Sequence, residues 1–158
     1  MFVASTALTG CGPSEARSAT NPMRPIEEWR AMQIIAEALS EEGLQATQPK
    51  KSFKTGDVAV VVDVGVHNRK IGFVYLTASD VDELGDHPLA AHHDESKLTV
   101  KQGQEQDAEM HVVVLYASDY VFDDHAGSDR NAPAITAENK LARDVRDFVI
   151  IARKNHWQ

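Results

Sequence analysis

The chain carries one cysteine, Cys11. A lone thiol excludes an intramolecular disulfide and a cysteine-built metal cluster. No apolar run approaches the roughly 20 residues of a membrane span. Positive charge is scarce: 16 Lys and Arg face 24 Asp and Glu, for a net charge of −8. Nucleic-acid binding needs a positive surface to displace counterions, so a nucleic-acid partner is not expected. A basic protein partner is compatible with that charge. There is no GxSxG elbow, no Gly-rich loop leading into a helix and no HExxH. Serine hydrolysis, phosphate cradling and zinc-peptidase chemistry therefore lose their usual signatures. No cofactor is implied.

What is present is a chain of 158 residues, with 42% hydrophobic and 25% charged residues, ordinary values for a globular protein. A single folded domain over residues 23–158 is expected. Its centre is the stretch 56–77, GDVAVVVDVGVHNRKIGFVYLT. Val58, Val60, Val62, Val64 and Val66 recur at every second position, which predicts one strand with an all-valine face. The other face carries Asp57, Ala59, Val61, Asp63 and Gly65, so both sides read as covered. Polar residues 67–70 predict a tight turn with Asn68 and Arg69 at its tip. That register sets Gly65 against Gly72 and Asp63 against Val74. Ile71, Phe73 and Tyr75 then share one face, and Val74 and Leu76 the other. The paired glycines would permit close approach of another group.

Around this hairpin, residues 25–42 read as a helix, with Pro25 at its first position, Glu27 and Glu28 in its first turn and Gly43 as a left-handed stop. Trp29, Met32, Ile35 and Leu39 predict its packed stripe. Residues 44–55 read as polar loop with a short strand near Phe53. Ser79 is expected to cap a short helix ending at Leu84. Residues 87–107 read as a long surface segment, with a brief strand at Leu98 and Val100. Residues 110–116, MHVVVLY, predict a third strong strand whose direction stays open. A last helix follows from Ala137 to Asn155, capped by Thr136, with Leu141, Val145, Phe148 and Ala152 as its buried stripe. The Lys140, Arg143, Arg146, Asp144 and Asp147 face reads as solvated. Trp157 is expected to fold back on the domain. The sum is a mixed α/β (α+β) fold, with a small sheet of three to five strands built on the central hairpin and flanked by the N- and C-terminal helices.

Near the amino end, Leu8-Thr9-Gly10-Cys11 follows a short run of apolar and small residues. It resembles the lipobox of bacterial lipoproteins. That resemblance implies cleavage before Cys11, lipidation of its sulfur and a place on the bacterial cell envelope. With Gly12 next, it implies the outer membrane or the periplasmic face. The apolar run is short and no basic region precedes it, as in a signal truncated at its start. Residues 12–22, GPSEARSATNP, lack apolar periodicity and read as a flexible tether. A cytoplasmic chain with a free thiol is the alternative.

Four sets of residues could carry chemistry. Asp63 is the one carboxylate in an apolar run, and burying it ionised requires a partner. It reads either as a structural acceptor at a strand end, or as a catalytic acid or metal ligand. His92 and His93, with His87, Asp94 and Glu95, supply imidazoles and carboxylates, but adjacent residues in extended chain point apart. Asp119 opens an acidic stretch running to Asp129 that lacks the order of a calcium loop. Finally, helix, strand and strand bearing Glu28 and Asp63 faintly resemble the core of restriction-endonuclease-like nucleases. That family uses an acid-x-Lys motif on the second strand, with two carboxylates holding magnesium. Val74-Tyr75-Leu76 stands there instead, so the resemblance implies a catalytically silent relative. The function expected is a non-enzymatic, membrane-anchored binding protein, of inhibitor or immunity type, for a protein partner. A divalent-metal hydrolase using Asp63 and a cytosolic subunit of a larger assembly are the alternatives.

Overall fold

A computed structural model describes residues 22–91, 94, 96–123 and 133–157. The lipobox, Cys11, all but the last residue of the tether, His92, His93, Glu95 and the acidic stretch 124–132 lie outside the described residues.

The chain begins with β1 (Arg24–Pro25), α1 (Glu28–Glu41), β2 (Ala46–Thr47), β3 (Lys51–Thr55) and β4 (Val58–Val62). It continues through β5 (Val64–Val66), β6 (Ile71–Leu76), α2 (Ala78–Leu84), β7 (Thr99–Gln102) and β8 (His111–Tyr116). It closes with β9 (Val121–Phe122) and α3 (Ala134–Lys154). A five-stranded sheet has the order β2-β5-β6-β8-β7. β5 and β6 form the antiparallel hairpin, with Gly65 opposite Gly72 as expected. The turn is not the two-residue one with Asn68 and Arg69 at its tip: residues 67–70 all lie between the strands, and Arg69 N–H donates to the Val66 carbonyl at 3.1 Å. Asn68 takes the positive φ, +54°, that its short polar side chain tolerates. β8 joins on the far side of β6 and runs parallel to it, because the chain crosses over through α2 and β7. The fold is thus mixed α/β, with helices at the N- and C-terminal sides of the sheet.

The valine run is not one strand. It bends at Asp63, and the two halves join different layers. β5 stays in the sheet, while β4 leaves it to pair with β3 as a separate ribbon. A bend of this kind lets one run of chain change layer. The ribbon turns at Gly56, at φ +62°, where a two-residue hairpin loop favours glycine. The alternating valines therefore serve two cores. Val64 and Val66 pack with Phe73, Tyr75, Val113 and Leu115 against α1 and α3. Val60 and Val62 pack with Phe53, Val74, Leu76, Val112 and Val114 on the opposite face of the sheet. β6 is buried along its whole length on both faces. Close layering needs the glycines: a Cβ at Gly72 would lie 2.8 Å from Val62 Cγ1 and 3.2 Å from Met110 Cε.

Other boundaries moved for local reasons. Pro25 sits in β1, opposite Val121, rather than in the helix. Ile26 N–H donates to the Tyr120 carbonyl at 3.1 Å, which keeps the chain extended until α1 starts at Glu28. Trp29 is not a packing anchor but 61% exposed. The buried stripe of α1 is Ala31, Ile34, Ile35, Ala38 and Leu39, and Trp29 lies off it. Gly43 does adopt the left-handed stop, at φ +72°. The brief strand expected at Leu98 and Val100 is present as β7, at Thr99–Gln102, and a 3-10 turn follows at Glu105–Asp107. α3 begins at Ala134, ahead of Thr136, and buries Leu141, Val145, Phe148 and Ala152 as its spacing predicts. Its outer face is not wholly solvated: the half-buried Asp144 accepts the Tyr120 hydroxyl at 2.9 Å. Arg30 forks onto Glu138 at 2.8 and 2.7 Å and joins the two long helices. Trp157 does fold back, stacking on His111 with ring centroids 3.9 Å apart.

Candidate functional site: an acidic cleft at the split of the hairpin

Where β4 parts from β6, a cleft of about 380 Å³ opens. Its walls are the edge of β4, the end of β6 and one side of α2. Glu28, Asp63, Asp80 and Glu83 line it, with Val58, Val61, Val74 and Leu84 supplying apolar surface. No Lys, Arg or His stands among the described residues that line it.

Each carboxylate is placed by its element. Asp63 sits at the bend. Its own N–H still bonds the Phe73 carbonyl at 3.0 Å. One step further along β6, β4 has already turned away and gives the strand no partner there. Tyr75 N–H is instead met by Asp63 Oδ2, at 2.8 Å. A buried amide without an acceptor is costly, so the side chain takes over where the backbone ladder stops. The strand-end acceptor role expected of Asp63 is therefore present, and the group also faces the cleft. Glu28 is the first residue of α1 and is exposed. Asp80 is fixed by a capping box: Thr77 N–H and Oγ1–H both donate to Asp80 Oδ2, at 2.8 and 2.6 Å. Thr77, not Ser79, is the cap of α2.

Replacing Thr77 by alanine removes that reciprocal cap. The expected loss is about 1 kcal/mol, read as a lower urea midpoint with an unchanged slope. An unchanged midpoint would show that α2 is held by other contacts.

Burial, and then the nearby carboxylates Glu28 and Asp80, together raise the Asp63 carboxyl to about 6 against the pull of the Tyr75 N–H bond. The Tyr75 phenol is likewise pushed far above its ordinary value, by burial first and then by Asp119 and Glu28. It remains a donor, to the Ile26 carbonyl at 2.8 Å. The cleft is a region of negative potential over an apolar floor. Such a place favours cations, and proton uptake by its most enclosed carboxylate.

Asp63 and Glu28 line the same cleft, together with Asp80 and Glu83. Asp119 lies elsewhere. It follows β8 and lines a second cavity with Thr136, Lys140 and Arg143, and its carbonyl accepts Lys140 Nζ at 2.9 Å. His87 lies apart from the cleft and turns its Nδ1 to Leu89 N–H at 3.2 Å. Among the described residues, no group of three or more His, Cys, Asp or Glu is arranged to hold a metal ion. Sequence reasoning passed over Asp80 and Glu83. The signal that could have found them is Thr77-x-x-Asp80 directly after a strong strand. That pattern places a capped helix at the carboxyl end of a strand, where open α/β sheets hold their ligands. No protein-family model, curated protein or solved structure matches this chain.

Proposed function

We propose that the chain is a non-enzymatic binding domain that receives the basic groups of a protein partner against Glu28, Asp63, Asp80 and Glu83. A lipid on Cys11 and the tether of residues 12–22 would hold it on the bacterial cell envelope, at the outer membrane or the periplasmic face. One observation carries the binding reading. Asp63 is kept half-buried beside other carboxylates, and no cation stands among the described residues of the cleft walls. An arrangement that disfavours its own charged state is more useful to a ligand than to the fold. The net charge of −8 supports the sign of the partner, and the lipobox-like run supports the anchor.

Calorimetric titration of the full chain with spermine, a compact polycation, tests the cleft. Heat is expected at low salt, weakening as salt rises. Absence of heat at every ionic strength would overturn the reading. Mass spectrometry of the native chain tests the anchor. An unlipidated full-length chain in the soluble fraction would favour a cytosolic subunit.

A second reading rests on the raised affinity of Asp63 for its proton. A carboxyl poised near neutrality suits acid-base work, and with Glu28 it could serve a divalent-metal hydrolase. Titration with magnesium, manganese and zinc separates the two. Heat abolished by Asp63→Ala would favour the hydrolase, and no heat would remove it.

A further inference from the structure

The sheet edges of this protein are not guarded alike. β2 is two residues long. The ribbon's outer edge, β3, carries Lys51 and Lys54, paired with Asp107 and Glu105. The sheet's far edge, β7, carries Lys101. Shortness and lysines are the ordinary protections of an edge against pairing with another chain. β4 has neither. It reads VAVVV over five residues, with no charge and no proline. Among the described residues it pairs on one side only, with β3. Its exposed positions are Ala59 and Val61, the latter 54% exposed. Consecutive residues of β4, from Val58 to Val61, line the acidic cleft together with Val74, Tyr75 and Leu76 of β6. The cleft therefore runs along a bare strand edge.

We propose that an extended segment of the partner, bearing lysine or arginine at alternate positions, adds to the open edge of β4 as a further strand. The proposal rests on the acidic-cleft reading above and states how that cleft is occupied. Main-chain hydrogen bonds to β4 would supply affinity, and alternate side chains would supply specificity. One face of the added strand would meet Asp63, Glu28 and Asp80, and the other would cover Val61. Charge selects this occupant over a second copy of the chain. Pairing β4 with β4 across a two-fold axis would bring two sets of the same carboxylates together, and like charges face each other at a cost.

The test uses the full chain and three probes: an alternating seven-residue Lys-Thr peptide, the same peptide N-methylated at alternate residues, and spermine. N-methylation keeps the charges and removes the ladder donors. The unmodified peptide is expected to bind at least about tenfold tighter than either other probe. Amide exchange at Val58–Val62 is expected to slow by a similar factor on its addition, and Asp63→Asn to weaken it. Equal binding of all three probes, with no protection of β4, would overturn strand addition and leave the acidic-cleft reading standing. Failure of all three would overturn both. Protection confined to β7 or β3, or a dimer that protects β4 without peptide, would also overturn strand addition.

Discussion

Asp63→Asn is expected to raise the thermal midpoint at pH 8 and to leave it unchanged near pH 4. The carboxyl is raised in the folded chain from 3.8 to about 6, so between these values the folded state binds the proton more tightly than the unfolded one. Stability then falls as pH rises. The penalty is absent below the unfolded value and complete above the folded one. Asparagine carries no charge, so it escapes that penalty. Its side-chain oxygen can still accept Tyr75 N–H, the bond that aspartate makes at 2.8 Å. A shift of this size corresponds to about 3 kcal/mol for a fully enclosed group. Solvent reaches the half-buried side chain, and about 1–2 kcal/mol is the better expectation. For a chain of this length that is about 2–8 °C. Differential scanning calorimetry across pH 4–8 reads it directly. A variant less stable than the parent at pH 8 would show that the ionised carboxylate holds the bend together, and the site reading would lose its main support. The same substitution should weaken spermine binding most above pH 6, where the parent is ionised. A fold gain and a binding loss from one substitution would be the mark of a group kept for its ligand.

Phe148→Ala tests the other half of the molecule and should have the largest effect on stability. Phe148 is fully buried and meets Phe73 edge to face, with ring centroids 5.3 Å apart. Trp157 lies beyond it at 6.2 Å. Truncation removes a ring from a closed core and leaves a cavity, at an expected loss of about 3–5 kcal/mol. Chemical denaturation with tryptophan fluorescence would follow both the midpoint and the release of Trp157. Phe148 does not line the cleft, whose wall residues Val60, Val74 and Leu76 belong to the other core, so spermine affinity should be unchanged under conditions where the variant remains folded. A parallel loss of affinity would mean that the helix layer sets the cleft geometry, contrary to the two-core description.

These two residues mark how far the sequence could be read. Phe148 was legible because its neighbours in α3 recur at helical spacing and a helix buries one stripe. The β5–β6 register was legible for a similar reason: a short polar turn between hydrophobic runs limits which residues can face each other, although the turn closes from Val66 to Arg69 rather than on Asn68 and Arg69. Gly65 and Gly72 meet as expected. Asp63 was legible as an anomaly, one carboxylate among valines, though not as a bend. Five alternating valines satisfy the period of one strand equally well whether the strand is continuous or broken. Periodicity reports which side chains want burial and is silent on which layer receives them.

Composition and local chemistry by themselves determined the mixed α/β class, the central hairpin with its register, the left-handed stop at Gly43 and the buried stripe of α3. Each depends on interactions within a few residues of sequence, where spacing and backbone preference decide the outcome. Tertiary structure alone decided that the valine run splits between two cores, that β8 runs parallel to β6, and that Trp29 faces solvent. It alone gathered Glu28, Asp63, Asp80 and Glu83 around one cleft. Those outcomes depend on which surfaces remain to be covered once the sheet has formed, and residues from three separate elements must be placed before the shared electrostatic field of the cleft exists at all.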